Sequence, residues 1–562
     1  MSFDDQVAAL ARHLAIAPFR DRLAGIAPAA VDADLEQAVL NEAAKFAAVV
    51  LDPLAAALDR DGARTEGGRV RLGDAFAGCW RRYRDAGWLR LGEPSEDGDN
   101  PSLALVSAVD EMFNRASPGF CMLPNVNRAA APLLAQVAAG EVADTWVPRL
   151  VSGEWTATIC ISEPDAGSDV GRIRSKATHA AGGWRVTGEK CWISFGDHDQ
   201  SARIGHLALA RTGDQPGARG LSLFLVPSVT DDGGDNGVRL RRIEEKLGLH
   251  CSPTCQIGFE DAAAILLGSE GRGLQTLFPM MLAMRLSCGP VGTGIAAGAF
   301  ATALGYARDR RQGGDAATPP VAIADHADVR RQLLEMAAAL ELTRGLTFAA
   351  ANALDLAAKC PDSGEAARWR DLAQFLLPLV KDGAAWAAVE VSGTAIQVLG
   401  GAGYTREWRV ERDYRDARIL PIFEGTTGIQ ALDLLHRRLW RDRLAGLQAF
   451  VAEMSEERLA EPVLDEAVAT LLRVAEALAG WESTPREGEA GATAFLALCT
   501  DVARGWIAVR IRRDAGDDRT GARMAAAARF FLAELPARSR CLADRATLGA
   551  HRLEGIAAWL EN

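Results

Sequence analysis

The sequence predicts a mainly α-helical protein with a β-domain in its middle, on three observations. Apolar residues recur at three- and four-residue spacing up to about Gly153. From Trp155 to about Leu267 they fall instead into short runs broken by Gly, Asp and Pro clusters. Helical spacing then returns after Gly273 and persists to the C-terminus. A chain of 562 residues exceeds the size at which one hydrophobic core keeps growing, so several domains are expected. The divisions are 1–154 (helical), 155–273 (β), 274–440 (a helical bundle) and 441–562 (an additional helical extension).

In the first segment, Asp34–Leu58, Leu72–Gly87, Ser102–Met112 and Ala130–Ala139 carry helical patterns. The G-E-P-S-E-D-G-D-N-P stretch at Gly92–Pro101 is rich in turn formers. In the second, W-T-A-T-I-C-I, G-W-R-V-T-G-E-K-C-W-I-S, H-L-A-L-A and L-S-L-F-L-V-P have the spacing of a small antiparallel sheet, with a loop at Asp231–Gly237. In the third, Leu274–Arg310, Ala327–Ala358, Ala366–Leu399 and Gly428–Leu439 are expected to pack as a bundle, joined by loops at Gln312–Pro320 and Cys360–Gly364. Beyond Trp440 the helical stretch is interrupted at Glu482–Gly491.

Composition narrows the function classes. With 49% hydrophobic and 24% charged residues, the chain resembles an ordinary soluble globular protein. A net charge of −12 argues against bulk attraction to nucleic acid or an anionic membrane. Ten cysteines show no secreted disulfide framework, and Cys251 and Cys255 lack a second close pair to complete a zinc site, so no metal is expected. The opening M-S-F-D-D-Q lacks the basic-then-apolar pattern of a signal peptide, which makes the cytoplasm the expected location. The uncharged run Leu286–Ala307 is rich in Gly and Ala and contains Pro290, so it is read as a close-packed buried helix and not a membrane span.

One stretch carries the candidate chemistry. In P-I-F-E-G-T-T-G-I-Q, Pro421 ends what precedes it, Gly425 permits a tight turn, and Thr426 or Thr427 can cap a helix with apolar Ile429, Leu432 and Leu435. Glu424 therefore sits on a tight connection beside hydrophobic groups, where desolvation would raise its pKa and strengthen it as a base. The structural alternative is a carboxylate that complements the helix dipole. Gly292-Thr-Gly294 and Gly400-Gly-Ala-Gly403 lack the strand that a dinucleotide loop follows. The first is read as close helix packing, while the second can expose N–H groups to a pyrophosphate.

Four separated stretches together resemble the acyl-CoA dehydrogenase family: T-I-C-I-S-E-P-D-A-G-S-D at Thr158–Asp169, G-E-K-C-W-I-S at Gly188–Ser194, E-K-L-G-L-H-C-S-P-T-C at Glu245–Cys255, and Gln397–Gln430 ending in F-E-G-T-T-G-I-Q. The resemblance implies a helical domain, a β-barrel or sheet domain and a four-helix bundle, with FAD held at their junction and at a subunit interface. It implies Glu424 as catalytic base, Ser162 on the flavin ring, and Trp192 and Ser194 beside the isoalloxazine. Arg310 and Gln312 match a pyrophosphate contact made from a neighbouring subunit, Gln397, Gly400 and Gly401 match another, and Thr426 lies near the phosphate and adenosine. Ser168, Arg285, Phe423 and Gly425 fall on the acyl-CoA side. Without that context, Trp192 on an alternating strand would be read as core packing.

Two departures concern the site: Phe423 stands where a tyrosine is common, and Gly313 where a phenylalanine is common. R-x-Q-G, the G-D-H-D at Gly196–Asp199 and the long C-terminal extension resemble a longer subfamily that includes 3-methylmercaptopropionyl-CoA and broad fatty acyl-CoA dehydrogenases. Asp197, His198 and Asp199 are read as a loop of that subfamily. The implied reaction is FAD-dependent α,β-desaturation of an acyl-CoA thioester to a trans-2-enoyl-CoA, with an electron-transfer flavoprotein as acceptor and a homodimer or dimer of dimers as the assembly. The rivals are an alkylation-response-type flavoprotein that binds nucleic acid, and an acyl-CoA oxidase.

Overall fold

The computed structural model describes residues 2–93, 100–457 and 459–560. Its contacts define two compact units, one formed by Met1–Ala47, Gly92–Ala116 and Arg285–Asn562, the other by Ala48–Leu91 and Ser117–Met284. The first sequence segment is thus shared between them. Most of the turn-rich stretch expected over Gly92–Pro101 lies outside the described residues.

The second unit is built on seven strands: β3 (Trp155–Cys160), β4 (Lys176–Ala180), β5 (Gly183–Ser194), β6 (Arg203–Arg211), β7 (Leu221–Pro227), β8 (Val238–Ile243) and β9 (Thr254–Leu267). A separate hairpin pairs β1 (Arg64–Glu66) with β2 (Arg69–Arg71), an element the helical reading of that segment missed. The strand pairings close a ring β6–β4–β5–β9–β7–β6, with β3 added beside β6 and β8 beside β9. The expectation of a purely antiparallel sheet is corrected here, because β3 runs parallel to β6 from Trp155↔Arg203 to Cys160↔Ala208. Alternation encodes which face a residue takes, not strand direction, and β3 enters from a helix instead of a hairpin. Leu207, Leu209, Leu223 and Leu225 from the ring share a core with Leu134 and Trp146 of the helices Pro118–Val137 and Gly140–Ser152.

The first unit is centred on the helices Gly273–Asp309 (from Arg285 onward), Ala327–Lys359 and Ser363–Leu399, followed by Thr427–Leu432. Their close approach depends on small residues. A β-carbon on Gly292 would lie 2.3 Å from the Ala384 carbonyl oxygen, which supports the packing reading of the Gly292-Thr-Gly294 cluster. Among the described residues, three helices, Gly273–Asp309, Ser363–Tyr404 and Pro485–Asp514, are long and apolar enough to cross a membrane by length and composition, and 78–89% of the most apolar stretch of each is buried inside the protein.

Several helix limits differ from expectation for local reasons. Asp34–Leu58 is not one helix: Ala33–Phe46 loosens into a π-helix over Ala47–Leu51 and a 3-10 turn at Asp52–Leu54, where Pro53 has no N–H to donate. The pattern at Ala130–Ala139 is the end of a longer helix, Pro118–Val137, which keeps Pro124 and Pro132 inside it because packing outweighs propensity. Gly428–Leu439 divides into an α-helix, Thr427–Leu432, and a π-helix, Asp433–Arg441. Helix Pro485–Asp514 starts within the break expected at Glu482–Gly491, and Gly491 there lets it pack on the Ala546 carbonyl, which a β-carbon would meet at 1.9 Å.

Candidate active site

Glu424 occupies the left-handed region (φ +52°) and is followed by Gly425 (φ +88°). A β-carbon in that region costs roughly 1–2 kcal/mol, so the surroundings must hold it. They do so from several directions. Thr426 caps the next helix, its Oγ1 accepting from the Ile429 N–H at 3.3 Å. The Thr427 N–H bonds back to the Pro421 carbonyl at 3.0 Å. Gln430 Nε2 donates to the Glu424 carbonyl at 3.0 Å, and Lys381 Nζ donates to the Leu420 and Gly425 carbonyls at 2.9 and 2.7 Å. The adjacent Asp382 accepts from the Thr427 hydroxyl at 2.6 Å.

The electrostatics suit a base. Burial raises the Glu424 pKa above its ordinary 4.5, and the Arg285 and Lys381 cations oppose that rise. Arg285 is itself held by Asp433 at 3.0 Å, both side chains being buried. Burial lowers the Lys381 pKa, against the pull of Cys288, Asp382 and Glu424. Burial, reinforced by the Glu424 charge, pushes the Cys288 thiol up to about 12, so it stays protonated. Glu424, Arg285, Phe423, Gly425 and Thr426 are therefore gathered in one loop-and-helix neighbourhood. Phe423 and Gly425 are half-buried.

In the second unit a different cluster forms. The ladder between β5 and β9 shifts register between Lys190 and Ile193, and Trp192 at that bulge has φ +63° and is 63% exposed. The core reading of Trp192 is overturned, because an irregular residue in a strand resets which face its neighbour takes. Ser162 lies alongside: its carbonyl accepts from the Cys191 N–H at 3.0 Å. Lys190 and Glu163 fasten these two segments through a buried ion pair of 2.8 Å, with Lys190 also donating to the Ile161 carbonyl at 3.1 Å. Glu163 further accepts from the backbone N–H groups of Arg174 and Ser175 at 2.6 and 3.1 Å. Ser194, half-buried, pairs with Thr254, while Ser168 is exposed on the turn beyond Ala166.

The residues matched to pyrophosphate contacts form a third group, on the first unit. Arg310 and Gln312 are exposed and bonded to each other at 3.1 Å just past the helix Gly273–Asp309. Gln397, Gly400 and Gly401 are exposed where Ser363–Leu399 ends, with open space around both glycines. Ala303 and Ala307 share one apolar cluster with Val398 and Leu399, so both groups lie at the same end of the bundle. Their guanidinium and glycine backbone suit a diphosphate. The outward flat indole beside Ser162 suits a planar ring system, so each group taken by itself fits one part of FAD.

Sequence reasoning missed Lys381, Asp382, Gln430, Glu163 and Lys190. The signal for Lys381 was a charged pair set in the apolar run L-L-P-L-V-K-D-G-A-A, since a buried lysine must be paired. The Asp197–Asp199 loop proves to be an anchor for the β1–β2 hairpin. Asp197 accepts from Arg69 Nε and the Val70 N–H, both at 2.7 Å, Asp199 accepts from the Leu72 N–H at 3.3 Å, and His198 bonds Thr156 at 3.0 Å. Cys251 lies in a turn and Cys255 in β9.

Family models for the N-terminal, middle and C-terminal domains of acyl-CoA dehydrogenase match residues 33–154, 158–262 and 271–439. The chain is 37% identical over 499 residues to 3-methylmercaptopropionyl-CoA dehydrogenase of Ruegeria pomeroyi, covering 85% of each sequence. Among solved structures it resembles Caenorhabditis elegans ACDH-11 in complex with C11-CoA at a TM-score of 0.80, with 20% identity over 96% of this chain and 93% of that one. It also resembles an acyl-CoA dehydrogenase complexed with FAD from Bacillus anthracis at a TM-score of 0.75, with 20% identity over 94% and 90% of the two chains. At that identity the two structures show a common fold.

Proposed function

The chain belongs to the acyl-CoA dehydrogenase family, FAD-dependent oxidoreductases acting on acyl-CoA, and from that premise we propose Glu424 as the base that takes the α-proton of the thioester. The carrying observation is the Glu424 loop: a carboxylate held in a left-handed turn by Lys381 and Gln430, with its pKa raised by burial. The reaction is α,β-desaturation of the acyl group. Bound FAD supplies the acceptor for the β-hydride. Ser162, Trp192 and Ser194 would hold its ring, and Arg310, Gln312, Gln397, Gly400 and Gly401 its diphosphate, with Thr426 near the adenosine side.

A bare carboxylate is too weak to ionise a thioester α-carbon unaided, so the developing enolate needs hydrogen-bond donors at its oxygen. The fixed loop conformation serves that need by holding the Glu424 and Gly425 backbone in one arrangement. The substrate we favour is 3-methylmercaptopropionyl-CoA or a fatty acyl-CoA, supported by the similarity to the Ruegeria enzyme across 85% of both chains. An electron-transfer flavoprotein as acceptor, a homo-oligomer and a cytoplasmic location complete the reading. The exposure of Arg310, Gln312 and Gln397 in a single chain supports a role toward a second subunit.

Anaerobic bleaching of the bound flavin by a panel of acyl-CoAs, including the sulfur-containing one, tests this reading. The wild type should bleach with at least one of them, forming the enoyl product, and Glu424→Gln should retain FAD but lose about 10²–10⁴-fold in rate. Bleaching by Glu424→Gln at the wild-type rate would remove Glu424 from the role of base. Peroxide formation without an added acceptor would instead mark an oxidase.

A further inference from the structure

We propose that the C-terminal extension is a working part of the catalytic centre, through Arg504 as a positioning residue for the loop that carries Glu424. The inference rests on the desaturation reading above and adds a role for a segment beyond the matched C-terminal family domain, which ends at residue 439.

Arg504 lies on helix Pro485–Asp514 and is buried at 9% exposure. Its Nη2 donates to Thr343 Oγ1 at 2.8 Å and to the Gly383 carbonyl oxygen at 3.0 Å, tying together the helices Ala327–Lys359 and Ser363–Leu399. A helical carbonyl has a second lone pair, so this bond adds to the helix without replacing its own ladder. The place of contact matters more than its existence. Gly383 directly follows Lys381 and Asp382, the two side chains that bond the Leu420 and Gly425 carbonyls and the Thr427 hydroxyl on either side of Glu424. A β-carbon at Gly383 would come within 3.0 Å of Thr500 and 3.4 Å of the Arg504 guanidinium, so the glycine lets the extension reach the helix at that point.

The contact is electrostatic as well. Burial raises the Asp382 pKa, while the Thr427 hydrogen bond and the Lys381 and Arg504 cations act to keep it ionised. Around Arg504 stand Asp501 and Glu390, with Arg538 as the nearby like charge. Arg538 is held by Asp501 at 2.8 Å. Arg504 thus bonds the carbonyl of the residue that follows Asp382, and Asp382 in turn orders Thr427 at the first turn of the helix after Glu424.

The test uses the full-length holoenzyme and anaerobic flavin reduction by straight-chain acyl-CoAs and 3-methylmercaptopropionyl-CoA. Arg504→Met, which keeps volume and removes the donors, should retain FAD and slow reduction at saturating substrate by about 10–100-fold with little change in half-saturation. Arg504→Lys should recover a large part of that loss. Hydrogen exchange gives a readout independent of turnover: the amides of residues 420–427 should exchange faster in Arg504→Met while distant helices keep their protection. If Arg504→Met does not fold, Arg504→Gln, which keeps an N–H donor and removes the charge, decides through the same two measurements. Wild-type reduction and wild-type exchange in the folded variants would overturn the proposal, as would losses only in proportion to FAD content. Failure of the wild type itself to bleach with any acyl-CoA would strike the desaturation reading instead, leaving the exchange result to judge Arg504.

Discussion

Lys381 Nζ donates to the carbonyl oxygen of Gly425 at 2.7 Å, and also to that of Leu420 at 2.9 Å, so one buried ammonium closes the Glu424 loop at both ends. The lysine comes from the middle of helix Ser363–Leu399, 39 residues before Leu420 and 44 before Gly425. Replacing it with Met leaves both carbonyls without that donor, at a cost of about 1–3 kcal/mol for each group left unsatisfied. Lys381→Met should therefore lower the denaturation midpoint and slow flavin reduction together, read by urea titration and stopped flow. A slowed reduction without any loss of stability would contradict the loop-closing role.

In its proposed role as base, Glu424 must be ionised to act. Burial lifts the folded pKa of Glu424 above 4.5, so reduction should fall as the pH drops through that raised pKa and level off above it. Arg285 opposes the rise, and Asp433 keeps a second partner, Arg437, at 3.0 Å. Arg285→Met removes a cation that favours the carboxylate, so the acid limb of the pH–rate profile should move to higher pH. Movement to lower pH would show that Arg285 does not act on the base through its charge.

Trp192 is exposed and carries a conformation that a β-carbon disfavours. A glycine there relieves roughly 1–2 kcal/mol of backbone cost. The apoprotein of Trp192→Gly should accordingly be as stable as the wild type or more so, while its FAD dissociates faster on dilution. Thermal melts of the apoprotein and FAD-to-protein ratios after gel filtration check the two halves. Loss of apoprotein stability with undiminished FAD retention would return Trp192 to a structural role.

Two residues before Trp192, Lys190 pairs with Glu163 at 2.8 Å, their side chains 0% and 7% exposed. Burial and the ion pair compete there: burial dominates at Lys190 and lowers its pKa, whereas at Glu163 the pull of Lys190 and the hydrogen bonds outweigh burial and lower its pKa too. Lys190→Met strands a buried carboxylate and should cost about 3–5 kcal/mol in urea denaturation. Adding Glu163→Gln should recover part of the loss, because the uncompensated charge is then gone. No recovery would mean that the shape of the pair, not its charge, matters.

Much of the fold was legible because helices and strands announce themselves locally. The spacing over Ala327–Ala358 marks a helix, and Ala327–Lys359 is one. Pro421, Gly425 and Thr426 likewise announce a tight entry into a helix, and the chain takes it with Thr426 as the cap. The order of helices, strands and helices, and the identity of the loop that holds Glu424, were determined by residues adjacent in the chain.

What only the tertiary structure decided are relationships between residues far apart. The direction of β3 beside β6, the outward turn of Trp192, the Lys381 bonds to the Glu424 loop and the reach of Arg504 to Gly383 have no local pattern to betray them. A charged side chain reads the same in sequence whether it faces water or a carbonyl tens of residues away. Burial without a partner is too costly to persist, so packing selects the partner, and packing exists only once the chain has folded.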